Sequence, residues 1–128
     1  MNISGGCILA ALALCGISFA AAAKTTSVKC SYPTYSDQSG NHAAKNPLVF
    51  TFIIDSGTNK AYIAGNVGSA EVAIVPNGVD GMSFIETSEV GNVTVTTMTR
   101  SGDSVHSRNT VMPGGIFGSQ HYGTCIAQ

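Results

Sequence analysis

Tryptophan is absent from this sequence, and charged residues make up only 10% of it. The sequence has six Lys and Arg residues and seven Asp and Glu residues, which gives a formal net charge of −1. A chain without a basic excess is not suited to follow a phosphate backbone, so we expect no nucleic acid partner. Helical periodicity is also missing after residue 23, because apolar residues do not recur there every three to four positions. A helical fold is therefore not expected.

Charge is missing altogether from the amino-terminal segment, where Cys7 to Ala23 are all apolar or small. Four consecutive alanines end this segment and offer a small-residue cleavage site before Lys24. The alternative is a membrane anchor, but the segment is shorter and richer in alanine than a span of about 20 residues. We predict a signal peptide over residues 1–23, a single domain over residues 24–128, and a protein exported to the periplasm or the extracellular space. No membrane span is expected after cleavage.

Cysteine is scarce in the predicted mature domain, which keeps only Cys30 and Cys125. Two such cysteines in an exported chain predict one disulfide bond. A bridge between them closes a loop of almost the whole domain. The loss of entropy in the unfolded chain would then stabilise the fold by at most about 4 to 5 kcal/mol. A reactive thiol or a metal ligand is the less favoured alternative, because there is no CxxC motif and no companion cysteine. We predict no metal and no cofactor.

Short β-rich runs separated by turn residues fill the domain, with centres about every 10 to 12 residues. This spacing predicts an all-β domain, a small antiparallel meander closed as a barrel or a sandwich. The alternation of side chains along a strand places Phe50, Phe52 and Ile54 on one face. We also expect an early strand near Val28–Tyr32 and a long loop over Ser36–Pro47. The other predicted strands are Leu48–Ile54, Ala61–Gly65, Ala70–Val75, Met82–Thr87, Val93–Arg100 and Ser104–Val111.

One motif suggests an enzyme: Phe52–Thr58 has the sequence FIIDSGT, the pattern around the catalytic aspartate of aspartic proteases. Such a carboxylate works in a pair that shares one proton. A single motif would therefore require a homodimer of the retroviral type, with Asp55 as the catalytic residue. Ile116–Gly118 stands at the spacing of the supporting segment, and the Gly-bearing segment Pro76–Met82 stands where a flap is expected. The simpler interpretation is that Asp-Ser-Gly forms an ordinary turn after a strand.

Polar side chains concentrate near the carboxyl terminus, in the segment VHSRNTVMPGGIFGSQHYGTC. His106 and Arg108 fall on one face of a predicted strand and Ser107 on the other, so these neighbours cannot form a Ser-His-acid triad. The segment also lacks the spacing of a zinc motif such as HExxH. We therefore predict a binding site and no catalytic residue. The predicted binding residues are His106, Arg108, His121 and Tyr122.

Five segments together resemble a group of small exported proteins of alphaproteobacteria. Asn109 departs from their pattern, which has a second histidine there, and His121 stands in place of a tyrosine. The resemblance implies an exported protein and carries no assigned activity with it. The matching segments are Phe52–Asp55, Phe84–Glu86, Thr96–Thr97, Val105–Asn109 and Ser119–Cys125.

Three functional hypotheses follow from the sequence. The first is an exported, non-enzymatic binding or interaction domain for an unknown protein or small molecule, using the face of His106 and Arg108. The second is the homodimeric aspartic protease, and the third is a structural protein of the envelope. Arg108 is expected to pair with one of three acidic residues, Glu71, Glu86 or Glu89.

Overall fold

The computed structural model describes residues 22–128, which form eight antiparallel strands arranged as a closed barrel in chain order. The predicted all-β meander is confirmed, and of the two predicted closures it is the barrel. No helix in this range is long and apolar enough to cross a membrane. Nearly all of the predicted signal peptide lies outside the described residues. The strands are β1 (Thr25–Asp37), β2 (Gly40–Asp55), β3 (Lys60–Gly65), β4 (Gly68–Asn77), β5 (Gly81–Thr87), β6 (Val93–Thr99), β7 (Asp103–Met112) and β8 (Gly115–Ala127).

The loop predicted over Ser36–Pro47 is wrong, because this segment forms most of the β1–β2 hairpin. Residues 34–37 of β1 pair with residues 40–43 of β2. A side-chain oxygen of Asp37 accepts a hydrogen bond of 2.8 Å from the backbone N–H of Ser39, and Gly40 takes a φ of 122°. These strand ends extend past the apolar core, so neither of their faces has to be apolar. A regular hairpin therefore has a polar composition here that is typical of a loop.

The apolar core fills the lower half of the barrel, near the chain termini. Phe50 and Phe52 of β2 point inwards and are buried, whereas Val49 and Ile53 point outwards, which confirms the predicted alternation. Phe52 stacks on Phe84 of β5 with ring centroids 4.2 Å apart. Close aromatic packing of this kind fills the interior of a small barrel. The buried cluster comprises Val28, Cys30, Tyr32, Phe50, Phe52, Ala61, Val72, Phe84 and Cys125.

The predicted disulfide is confirmed, and it lies on the seam where the barrel closes. Cys30 of β1 and Cys125 of β8 are directly opposite each other, with Cα atoms 4.0 Å apart. The adjacent Gly123 has no room for a side chain, because β8 there crosses the irregularity in β1 after Tyr32. The bridge makes the pairing of the first and last strands covalent. A bond of this type suggests an oxidising environment outside the cytoplasm.

The barrel is taller on one side than on the other. The pairing of β3 with β2 ends at Ala64 and Thr51, and the pairing of β6 with β7 ends at Val93 and Asn109. Beyond these pairs β2, β1, β8 and β7 continue as a four-stranded extension, which we call the tall wall. The opening beside it, above β3 to β6, is the mouth. The tall wall consists of residues 40–49, 33–37, 115–121 and 110–112.

Candidate functional site

A row of polar and aromatic side chains crosses the interior just above the core. Its members are successive partners on neighbouring strands: Thr96, His106, His121, Tyr35 and His42. The ring centroids of His106 and His121 are 5.9 Å apart, those of His121 and Tyr35 5.4 Å, and those of Tyr35 and His42 4.9 Å. This row forms the polar boundary between the filled lower half and the mouth.

A second row lies one inward-facing position closer to the mouth. Glu86, Thr94, Arg108 and Ser119 are successive partners across β5, β6, β7 and β8. The Thr94 hydroxyl donates a hydrogen bond of 3.2 Å to Oε2 of Glu86. The guanidinium of Arg108 has neither a hydrogen bond nor an ion pair with any residue of 22–128. The site therefore holds one negative and one positive group that do not neutralise each other directly.

A cavity of about 430 Å³ opens between these rows and the hairpin that joins β3 to β4. Its polar lining includes Glu86, Thr94, His106 and Arg108. We call it the mouth cavity, and its volume lies at the small end of the range for ligand pockets. A second hollow of about 380 Å³ lies on the other side of Arg108, beneath the β7–β8 hairpin. The apolar side of the mouth cavity is formed by Leu48, Phe50, Ile63 and Ala70.

Both inward-facing histidines favour their neutral forms. Only 4% of His106 is exposed, and burial lowers its pKa to about 4, with smaller contributions from His121 and Arg108. Burial also lowers the pKa of His121, and the positive charge of Arg108 acts in the same direction. At neutral pH the formal charges that line the mouth cavity are therefore those of Glu86 and Arg108.

The hydrogen bonds of the two histidines differ. Nδ1 of His106 lies 2.7 Å from the hydroxyl oxygen of Thr96, which is itself buried. Nε2 of His121 lies 3.3 Å from the hydroxyl oxygen of Ser119, but its Nδ1 is buried and has no partner within residues 22–128. Buried polar atoms usually have partners, so this ring nitrogen is an exception among the described residues.

We predict that acid destabilises the protein partly through His106. Its pKa is lowered from the ordinary 6.5 to about 4 on folding, so the unfolded chain takes up the proton first as the pH falls. The stabilisation is complete above pH 6.5 and is lost as the pH falls towards 4, by up to about 3 kcal/mol. Urea unfolding at pH 7.5 and pH 4.5 measures the change.

The His106→Gln variant isolates this contribution, because glutamine has a similar size and does not titrate. We expect the difference in unfolding free energy between the two pH values to be smaller in the variant by about 2 to 3 kcal/mol. An NMR titration of the His106 ring supplies the direct value. A ring that titrates at its ordinary pKa near 6.5 would contradict the prediction.

Three of the four predicted binding residues meet inside the barrel. His106, Arg108 and His121 face the interior, whereas Tyr122 lies on the outer face and is 40% exposed. The Tyr122 hydroxyl donates a hydrogen bond of 2.8 Å to the side-chain oxygen of Gln120. Tyr122 is therefore not part of the mouth cavity. Its position follows from the alternation along β8, where every second residue points inwards.

The ion pair expected between Arg108 and Glu71, Glu86 or Glu89 is not present within residues 22–128, so this prediction is wrong. Glu71 forms an ion pair of 3.1 Å with Lys60 instead. Glu86 shares the mouth cavity with Arg108 but forms no ion pair with it. The sequence did not point to Thr94 as the residue between them. The two turns that flank β6 could have identified it, because counting residues back from each turn gives the partners of Thr94 on β5 and β7.

An acid, a histidine and a serine also meet at the β1–β2 turn, in Asp37, His42 and Ser39. Nε2 of His42 lies 2.9 Å from Oδ1 of Asp37 and 3.1 Å from the hydroxyl oxygen of Ser39. In a catalytic triad the acid and the hydroxyl bind different ring nitrogens, so this arrangement is not one. Hydrogen bonds from Ser39, followed by His42, lower the pKa of Asp37 to about 2. The cluster stabilises the turn.

Asp55 lies at the lower end of the barrel, in the β2–β3 turn. Its Oδ1 accepts a hydrogen bond of 2.8 Å from the backbone N–H of Gly57, and this bond is the main reason for its lowered pKa. Ile116–Gly118, the supporting segment of the protease hypothesis, begins β8 at the opposite end. The supporting segment is therefore far from Asp55, whereas the Pro76–Met82 segment forms the β4–β5 connection at the same end of the barrel as Asp55.

The site thus consists of an open cavity, two opposite charges and neutral histidines. Within residues 22–128 no group of three or more His, Cys, Asp or Glu side chains is arranged to hold a metal ion. Comparisons with protein families, with curated proteins and with solved structures found no match to this chain.

Proposed function

We propose that this chain is an exported binding protein that holds a small molecule in the mouth cavity. One observation carries the proposal: the interior is packed only in its lower half. Phe52 and Phe84 are stacked there, whereas a cavity of about 430 Å³ lies above the row of His106. A barrel whose only role was structural would gain stability by filling this space. An eight-stranded barrel can instead hold one small ligand.

The chemistry of the cavity favours binding over catalysis. The nearest approach to a nucleophile and base is the Thr96 hydroxyl, 2.7 Å from Nδ1 of His106. Only 1% of Thr96 is exposed, so a substrate has no access to its hydroxyl. The lowered pKa of His106 also makes its ring a weak base at neutral pH. These features support a site that holds its ligand unchanged.

Export is supported by separate observations. Bonds such as Cys30–Cys125 form and persist mainly in oxidising compartments. The uncharged, alanine-rich segment before Lys24 has the composition of a signal peptide. We place the mature protein in the periplasm or the extracellular space, in keeping with the alphaproteobacterial proteins that it resembles.

We predict that filling the mouth cavity abolishes ligand retention. In Ala70→Trp a large ring enters the cavity from β4, whereas in Ala73→Trp the same ring lies on the outer face of the same strand. Native mass spectrometry of the protein purified from its own host measures any retained molecule. We expect the wild-type chain and Ala73→Trp to carry an added mass, and Ala70→Trp to carry none.

The control variant makes the result specific. Both variants gain a tryptophan on β4, so a general effect on folding or expression appears in both. If all three proteins have the mass of the bare chain, the proposal of a retained small molecule is wrong. If Ala70→Trp keeps the same adduct as the wild type, the ligand lies elsewhere on the protein.

A second candidate function, docking to another protein, is favoured by the β7–β8 hairpin. This hairpin extends beyond β6, and Val111 and Ile116 form an apolar pair on its outer face, 75% and 63% exposed. Exposed apolar patches on soluble proteins often mark interaction sites. The same native spectra test this candidate, because docking would appear as a dimer or a complex that Ile116→Ser disperses.

A further inference from the structure

The opposite charges in the mouth cavity restrict what can bind there. Glu86 and Arg108 line the same space, and neither forms an ion pair within residues 22–128. Arg108 is exposed and Glu86 is half-buried, so solvent reaches both groups while the cavity is open. A ligand that enters displaces part of this solvent, and a charge that loses water without gaining a partner weakens binding. A ligand that binds well must therefore replace the water at both groups.

Four kinds of ligand can be compared on this basis. A purely apolar ligand would leave the charges of both Glu86 and Arg108 without compensation. A simple anion would pair with Arg108 but be repelled by Glu86, and a simple cation would face the reverse problem. A ligand with a positive and a negative group satisfies both side chains. The neutral state of His106 adds no third charge to this balance.

We infer that the mouth cavity binds a zwitterion of the α-amino acid class, with its ammonium group at Glu86 and its carboxylate at Arg108. This inference rests on the proposed binding function. The bound carboxylate accepts hydrogen bonds from the guanidinium, which suits a two-oxygen acceptor. The ammonium group donates to the Glu86 carboxylate, whose Oε2 is already held by Thr94.

The spacing of the two residues suits such a ligand. Glu86 and Arg108 are both cross-strand partners of Thr94, so they lie two strands apart. Adjacent strands are about 4.8 Å apart, which puts their Cα atoms on the order of 10 Å from each other. Their charged ends form no ion pair with each other, so a gap between them is open to the neighbouring ammonium and carboxylate groups of one amino acid.

The remaining lining indicates the side chain of the ligand. Opposite the charged row, the cavity is formed by the apolar groups of Leu48, Phe50, Ile63 and Ala70. An apolar ligand side chain gains about 25 cal/mol for each Å² that it buries on such a surface. The favoured ligands are therefore amino acids with a medium-sized aliphatic side chain. L-leucine is the probe of choice.

The test combines changes in the protein with changes in the probe, measured by isothermal titration calorimetry. L-leucine, N-acetyl-L-leucine and L-leucinamide share a side chain, but the second lacks the ammonium group and the third lacks the carboxylate. We expect wild-type protein to bind L-leucine at least about 10-fold more tightly than either analogue. Glu86→Gln should weaken L-leucine binding at least about 10-fold, whereas binding of N-acetyl-L-leucine, an anion that the Glu86 carboxylate repels, should not weaken.

Arg108→Gln tests the other charged group in the same way. It should weaken L-leucine binding at least about 10-fold, whereas binding of L-leucinamide, a cation that the guanidinium repels, should not weaken. Arg100→Gln and Glu71→Gln are matched controls, because they remove the same charges outside the mouth cavity and should bind as the wild type does. Thermal melts of all four variants identify any change that acts through folding.

The outcomes separate this inference from the proposed function. If wild-type protein does not bind L-leucine, or binds all three probes equally, the zwitterion inference is wrong. If the native adduct is nevertheless present and lost in Ala70→Trp, the binding function stands and its ligand has another chemistry. If no adduct and no L-leucine binding are found, both proposals fail.

Discussion

Loss of the Cys30–Cys125 bond is expected to lower the free energy of unfolding by up to about 4 to 5 kcal/mol. The two cysteines are 95 positions apart, so the bond restricts nearly the whole unfolded chain. It also joins β1 to β8, the first and last strands of the meander, whose pairing closes the barrel. For a domain of this size, a loss of about 4 kcal/mol would correspond to a fall in melting temperature of about 15 °C or more.

Two ways of removing the bond distinguish the cross-link from local packing. Thermal melts of the wild-type protein with and without a reductant measure the cross-link alone. The double variant Cys30→Ala with Cys125→Ala also removes two buried sulfur atoms, so it should be slightly less stable than the reduced wild type. Its melting temperature should not respond to the reductant. An unchanged melt of the fully reduced wild-type protein would contradict the prediction.

Phe52→Ala is expected to cost about 3 to 5 kcal/mol of unfolding free energy. The Phe52 ring is completely buried, stacks on Phe84 at 4.2 Å and meets Phe50 edge to face at 5.5 Å. Truncation leaves a cavity that the hydrogen-bonded ring of strands around it cannot easily close.

Ile53→Ala is the matched control for this effect. Ile53 is the next residue of β2, points outwards and is 36% exposed, so its truncation should cost about 1 kcal/mol or less. Urea unfolding curves of both variants give the two free energies. Equal losses would mean that the interior is not the stabilising core described here.

Much of this fold could be predicted from local signals. Phe50 and Phe52 alternate with exposed residues in β2, and this pattern indicates a strand with one buried face. Cys30 and Cys125 remain as a pair once the leader is set aside, which indicates their bond. The hairpin above Tyr32 could not be predicted, because residues 34–43 carry no apolar alternation. Its pairing depends on the register that the core residues impose.

The site could be predicted only in part for the same reason. His106 and Arg108 are two positions apart on one strand, so their shared face follows from the sequence alone. Glu86 shares their cavity only because β5, β6 and β7 pair in one register, Glu86 with Thr94 and Thr94 with Arg108. A shift of one residue in either pairing would turn one of these side chains to the outside. Register of this kind is a property of the whole sheet.

The unequal height of the barrel leaves two free strand edges on the tall wall. The upper part of β2, residues 40–49, has no partner on the β3 side, and this is the longer edge. It carries Lys45 and Pro47, a charge that opposes association and a residue that cannot donate to another strand. The shorter edge, residues 110–112 of β7, carries neither. The tall wall is thus protected against strand addition along β2 and is open to it along β7.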